Sequence, residues 1–421
     1  MSGRLALRAL LLLLASLCGQ GLAQVPCPSF VDDEQLQRLM DPARHQATPH
    51  KLPFPDEPFL FLVIDSPEVE AELCREDTRK LLAGRAVCFS QPATTGDARK
   101  LLGDTKILAL RGPCQLARFS KGDVAEWIAA VMEGRAVEMP SMADPLQVTR
   151  WTGDQWGQWV EGAWSLLAVG ALERASSAIL RAWTFTAGEQ VFVGVRYAYL
   201  APLLGGLLQA DRERVMPVLN DLLDEAIERS RENLDDGLTA RDVVALSAVL
   251  GRVDDMADLV DEYARSNRLR SAAVRFIRDD VFTALADTSH VSQALLVLGE
   301  PLQDYLATHL VEMAERRSRA PAASGSAQLD ELRDQEEQAF AQRCARVALL
   351  AGDEARVKAV VQVLRMKSGT PGLAAFVRAA RQVGPPSELG ARVTTALLNS
   401  PDADSVLDAG EADALRAWLS D

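Results

Sequence analysis

The sequence predicts a mostly α-helical chain with one small α/β domain near its N-terminal end. Three observations predict it. Short apolar runs of strand length cluster between residues 59 and 119 and alternate there with amphipathic stretches. From residue 151 onward apolar residues recur at helical spacing, with almost no strand signal. A helix–break–helix pattern also returns at intervals near 40 residues, as in "ALLAGDEARVKAVVQVL" at 348–364.

The first 23 residues read as a secretory signal rather than as structure. Arg4 and Arg8 give a basic start, Leu10 to Leu14 an apolar core, and Gly21-Leu22-Ala23 the small residues before a cut. The apolar core is shorter than the roughly 20 residues that span a bilayer. A lipid anchor at Cys18 is less favoured, because Leu17 stands where a small residue is needed. Cleavage after Ala23 removes two arginines and takes the net charge from −14 to −16. The mature protein is expected in the periplasm or outside the cell, with no transmembrane segment. Abundant arginine and scarce lysine fit a GC-rich, bacterial source. Residues 24–58 are proline-rich and irregular, with a short helix over 32–40. His45 and His50 lie in this solvated stretch.

The α/β region follows in order. "FLFLVI" (59–64) suits a strand buried on both faces. Asp65-Ser66-Pro67 starts a helix that runs to Leu82. "RAVCFS" (85–90) is a second strand, and a short helix occupies 95–102. "TKILAL" (105–110) and "CQLARF" (114–119) form a hairpin across Gly112-Pro113, and an amphipathic helix at 121–134 begins near Asp123. The order β-α-β-α-β-β-α over 59–135 resembles the thioredoxin-like family. That resemblance implies a redox CxxC after the first strand and a cis-proline before the third. Here the first place reads "DSPEVEAELC", with Cys74 alone, and Asp104-Thr105 occupies the second. The resemblance therefore implies the fold without dithiol exchange. Cys74, Cys88 and Cys114 are the candidate thiols, set against burial or a structural disulfide. Removing Cys18 leaves five cysteines, an odd number, and no CxxC occurs anywhere.

Residues 136–150 read as a linker, and 151–421 as a helical-repeat domain. Its break points fall at Gly170, Ala210, Gly251, Gly299 and Gly352, at intervals of 40, 41, 48 and 53 residues. The last interval holds the low-complexity stretch "SRAPAASGSAQL" (318–329), expected to be a flexible loop. A glycine that stops one helix, followed by an acidic first turn, is what a stack of helical hairpins needs. The period resembles the HEAT and tetratricopeptide-like α-solenoids, without a subfamily signature. The full expectation is a thioredoxin-like α/β domain followed by an α-solenoid of helical hairpins.

Tryptophans concentrate where the helical region begins. Trp156, Trp159 and Trp164 share a helical side, with Arg196, Tyr197 and Tyr199 in the apolar stretch 192–208. These six residues are candidates for partner binding, set against simple core packing. The acidic balance argues against nucleic acid as a partner. Asp254, Asp255 and Asp258 lack a calcium-loop spacing, as does Asp235-Asp236-Gly237. His290 and His309 have no evident catalytic partners in sequence. No catalytic, cofactor or metal site is assigned. The expected function is an exported, non-enzymatic scaffold that binds a protein partner. The alternatives are a redox or chaperone-like protein using the thioredoxin-like domain, and a helical enzyme using carboxylates on a cell-wall or carbohydrate substrate.

Overall fold

Six consecutive apolar residues form a strand only where both faces of a sheet are covered, and β1 (Phe59–Ile64) meets that condition. In the computed structural model every β1 residue is buried. The structure describes residues 58–64, 66–91, 103–111, 114–142, 144–319 and 327–420. The signal sequence, residues 24–57 of the irregular segment with His45 and His50, the 95–102 helix and the Gly112-Pro113 turn lie outside them.

Alongside β1 run β2 (Ala86–Gln91), parallel to it, and β3 (Ile107–Arg111), antiparallel. β4 (Cys114–Phe119) completes the order β2-β1-β3-β4. Parallel pairing requires a crossover. The sequence predicts one helix there, and two are found: α1 (Pro67–Leu73) and α2 (Glu76–Leu82). Arg75, with ψ 148°, is extended and breaks them apart, and Glu76 and Asp77 give α2 the acidic first turn that favours a fresh start. Phe59, Phe61 and Val63 face a core built with Val69, Leu73, Leu82 and the inner face of α3 (Val124–Met132). Asp123 caps α3 by accepting from the Glu126 amide at 2.8 Å.

The chain divides into two compact units, one ending at Asp221 and one beginning at Leu222. In the first unit the α/β core continues directly into helices. Ala168, on α5 (Gly153–Val169), belongs to the sheet's own core cluster. Arg111 Nη1 donates to the Ala168 carbonyl at 2.6 Å, and Arg174 Nη1, on α6 (Leu172–Phe185), to that of Gly134 at 2.6 Å. Residues 136–150, read from sequence as a linker, lie against this assembly, with Val137, Met142 and Val148 buried. They include the short helix α4 (Pro145–Val148). Next comes α7 (Gln190–Ala210), whose middle turn, Arg196–Leu200, is π-helical.

α8 (Arg212–Glu232) spans the division between units. In the second unit follow α9 (Gly237–Leu250), α10 (Val253–Arg265), α11 (Ala272–Ala286), α12 (Val291–Leu298), α13 (Leu302–Arg319), α14 (Ala327–Leu350), α15 (Glu354–Lys367), α16 (Gly369–Val383) and α17 (Glu388–Leu398). The short α18 (Ala403–Val406) and α19 (Ala409–Trp418) close the chain. Helices pack on their neighbours and next-neighbours, α9 on α11, α10 on α12, α13 on α15 and α14 on α16. The chain is thus mostly α with a small N-terminal α/β part, and its helical region is repeat-like. A helix ends at each of the five break points. Gly170, Gly251, Gly299 and Gly352 have φ of +79°, +71°, +65° and +69°, the left-handed stop that glycine adopts without strain. At the fifth, the helix closes at Ala210 and Asp211 takes an extended φ of −146°. Of the stretch 318–329, α13 includes residues up to Arg319 and α14 begins at Ala327, and the rest of the expected loop, 320–326, lies outside the described residues.

Candidate functional site

Thr152 and Gln155 start α5 with reciprocal caps: Thr152 N–H donates to Gln155 Oε1 (2.9 Å), and Gln155 N–H to Thr152 Oγ1 (3.4 Å). That start fixes the tryptophans. Trp151 packs edge-on against Trp156 (4.9 Å between centroids), which packs likewise on Trp159 (5.9 Å) and on Phe192 of α7 (5.8 Å). Edge-to-face contacts of this kind hold rings in one geometry beyond their burial alone.

The six candidate partner-binding residues, set in sequence against core packing, separate by burial. Trp159 is 1% exposed, and Trp156 is also buried, so both rings lie in the interior. Trp164 is half-buried and rests on the helix backbone of α7, where a Cβ added to Gly206 would come within 2.9 Å of its ring. Arg196 is buried, its guanidinium 3.6 Å above the Trp183 ring. Tyr197 and Tyr199 are half-buried.

Two strongly exposed aliphatic residues lie near the cluster in the chain and do not stand out in the sequence. Leu146 is 73% exposed and Val191 68% exposed. Leu146 sits on α4 while Val148 of the same turn points inward, and Val191 precedes the buried Phe192. The sequence signal was available: Val191, Gly194 and Ala198 fall on one side of α7, opposite Leu200, Leu203, Leu204 and Leu207. The stretch 192–208 is therefore buried on one face only. By length and composition α7 is also apolar enough to cross a membrane.

The candidate thiols are not gathered at this surface. Cys88 is fully buried in the sheet core, and Cys74 is half-buried at the end of α1. Cys114 lies in β4 opposite Arg111. In the second unit Cys344 is a free thiol, and complete burial pushes its pKa well above the ordinary range.

Acidic residues of the second unit find partners that spacing alone did not reveal. His290 Nε2 lies 2.8 Å from Asp254 Oδ1, Arg252 Nε 2.6 Å from Asp255 Oδ2, and Arg268 pairs with Asp235. Asp236 caps α9 through the amides of Leu238 (3.0 Å) and Thr239 (3.3 Å). Among the described residues no group of three or more metal-ligating side chains converges. His309 stacks on Phe340 at 3.9 Å, and Tyr305 donates to Asp279 at 3.0 Å. A cleft of about 400 Å³ opens between the starts of α13 and α15, with Leu295, Leu302 and Ala359 among its walls. Its charged groups are engaged locally: Glu300 with Arg278 (3.0 Å) and Asp353 with Arg356 (3.7 Å).

Comparison with known proteins adds no family: neither a family model, nor a curated protein, nor a solved structure matches the chain.

Proposed function

We propose that this is an exported, non-enzymatic interaction protein that binds a protein partner. The observation that carries the reading is the strong exposure of two large aliphatic residues, Leu146 and Val191, which stand in the chain five residues before Trp151 and one before Phe192 of the Trp151–Trp156–Phe192 stack. Covering two large exposed aliphatic side chains would remove apolar surface from water, at about 25 cal/mol per Å² buried. A rigid aromatic cluster suits an interface, because its ordering entropy is already spent. The repeat-like helical region supports the same reading, since stacked helix pairs offer extended surfaces.

The test uses the mature chain, 24–421, as bait for the native envelope fraction. A double variant, Leu146→Asp with Val191→Asp, serves as control. A partner captured by the parent chain and lost by the variant, with thermal unfolding unchanged, is the expected result. Identical captured sets would remove the reading.

A second reading, thiol chemistry on a thioredoxin-like domain, draws support from the parallel β-α-β unit, the antiparallel hairpin and the closing helix. It rests on Cys74, because the buried Cys88 is poorly placed to form a thiolate. Cells carrying Cys74→Ser that behave as the parent strain would end it.

A further inference from the structure

We infer that the turn between α10 and α11 binds an acidic segment of a partner protein through arginines that the fold leaves without ion pairs. The site lies wholly in the second unit and stands independently of Leu146 and Val191.

From Tyr263 to Arg278 the chain holds five arginines and no carboxylate, in a molecule of net charge −14. The fold keeps them at one end of a helix pair. Asn267 takes a left-handed φ of +53°, and the Arg268 amide turns back to the Tyr263 carbonyl at 2.8 Å. Ser271 N–H then donates to the Arg268 carbonyl at 2.9 Å, and Ser271 Oγ caps α11 by accepting from the Val274 amide at 3.2 Å. Arg265 therefore leaves the last turn of α10, Arg270 the connection, and Arg275 the start of α11. Two neighbouring turns border this one. Arg268 pairs with Asp235 of the α8–α9 turn. A Cβ on Gly299, which ends α12, would stand 3.9 Å from the Leu269 carbonyl.

Arg265, Arg270 and Arg275 are exposed, and among the described residues none of them has an ion pair. The carboxylates nearest in the chain or beside the turn are engaged already: Glu262 with Arg231 (2.9 Å), Glu300 with Arg278 (3.0 Å) and Asp280 with Arg241 (3.3 Å). Arg270 and Arg275 also flank the positive end of the α11 dipole, which adds to their repulsion instead of answering it. An anion from outside relieves both. Guanidinium forks take carboxylates two bonds at a time, and clusters of arginine recognise acidic motifs in this way.

The surroundings favour a narrow occupant over an anionic membrane. Leu269 is the one large aliphatic residue of the connection and is half-buried, so the turn offers no side chain to insert into lipid. A broad anionic surface would also meet the exposed Asp235 and Glu300, which their ion pairs place beside the turn. A single extended peptide covers far less surface and need not meet them.

The test measures fluorescence anisotropy of two labelled peptides against the mature chain. One is Gly-Glu-Asp-Glu-Asp-Glu-Gly, and the other carries the matching amide at each acidic position. The acidic peptide is expected to bind on the order of tenfold tighter at low salt, with the preference shrinking as salt rises. Arg265→Gln, Arg270→Gln and Arg275→Gln together should remove the preference while the chain unfolds at the parent's temperature. Arg79→Gln with Arg85→Gln, which neutralises two exposed arginines of the first unit, should leave the preference intact. Equal affinities, no binding of the acidic peptide, or a preference that survives the triple variant would each overturn the inference. So would phosphatidylglycerol vesicles held by the same three arginines more tightly than the peptide. None of these results depends on capture through Leu146 and Val191, so this inference and the interaction reading fail separately.

Discussion

The guanidinium carbon of Arg196 lies 3.6 Å from the centre of the Trp183 ring, inside the first unit. The same side chain donates to the Trp183 carbonyl and, at 2.8 Å, to Thr186 Oγ1. Both acceptors sit at the C-terminal end of α6, where carbonyls outnumber donors and a cation is favoured. A buried charge is tolerated here because a ring face and a helix end answer it. Arg196→Met removes the charge while filling space, and should cost about 2–4 kcal/mol in urea unfolding. Arg196→Lys should recover less than half, since a point charge cannot stack and reach two acceptors together. An unchanged midpoint for the methionine variant would show that the stack contributes nothing.

At the other end of the chain, Arg378 holds Glu411 through two bonds, Nε to Oε1 at 2.6 Å and Nη2 to Oε2 at 2.9 Å. It also reaches Gln338 Oε1 at 3.1 Å and the Val406 carbonyl at 2.8 Å. The fork joins α16 to the last helix, α19, and Trp418 adds a bond from Nε1 to the Gly384 carbonyl at 3.0 Å. Both charged side chains keep some exposure, so screening lowers the value of the pair. Glu411→Gln is expected to lose about 1–2 kcal/mol, and amide hydrogen exchange over 409–418 should rise before that of α16. Unaltered protection in α19 would place the anchor elsewhere.

Much of the fold was legible in the sequence, for local reasons. "FLFLVI" could only be a strand covered on both faces, and glycines ahead of acidic turns marked helix ends at 170, 251, 299 and 352. The break at Cys74–Arg75 was not legible, because neither glycine nor proline marks it and the polar run Arg75–Lys80 is compatible with the exposed side of a continuing helix. Pairs such as His290–Asp254, 36 residues apart, depend on how hairpins stack, which no local pattern records. The tryptophan cluster was half legible. Trp156, Trp159 and Trp164 marked its place, but the exposed residues are Leu146 and Val191, whose neighbours turn inward. In sequence Arg196 is compatible with a groove or with the core, and it is buried, stacked on Trp183.

Two left-handed glycines separate backbone strain from crowding. Gly251 has φ +71° with open space where a Cβ would stand. Gly134 has φ +74°, and a Cβ there would approach Ala171 Cβ at 2.7 Å and Val169 Cγ2 at 2.8 Å. Gly251→Ala should cost only the conformational penalty, about 1 kcal/mol. Gly134→Ala adds overpacking between α3 and the start of α6, for a total of about 2–4 kcal/mol. Unfolding midpoints of the two variants decide the matter. Equal losses would mean that the α/β core does not press closely on the helices beside it.

Tyr263 is buried on α10, and burial pushes its phenol pKa from 10.0 up to about 12. Ser230 lies alongside, yet the two hydroxyls do not meet in hydrogen-bonding geometry. The folded chain therefore prefers the neutral phenol more than the unfolded chain does. That preference contributes fully below pH 10 and is lost as pH rises through 12. Tyr305 is held protonated in the same direction by burial, ahead of the repulsion from Asp279. Of the four tyrosines in the chain, these two should form tyrosinate only as the protein unfolds in alkali. Tyr263→Phe should leave stability near pH 7 unchanged to within about 1 kcal/mol, because no hydrogen bond is lost. Its alkaline unfolding should begin at higher pH than in the parent. Absorbance titration of tyrosinate, run beside circular dichroism, checks both points. Ionisation of all four tyrosines in chain that is still folded would show that water reaches Tyr263 and that its burial is not maintained.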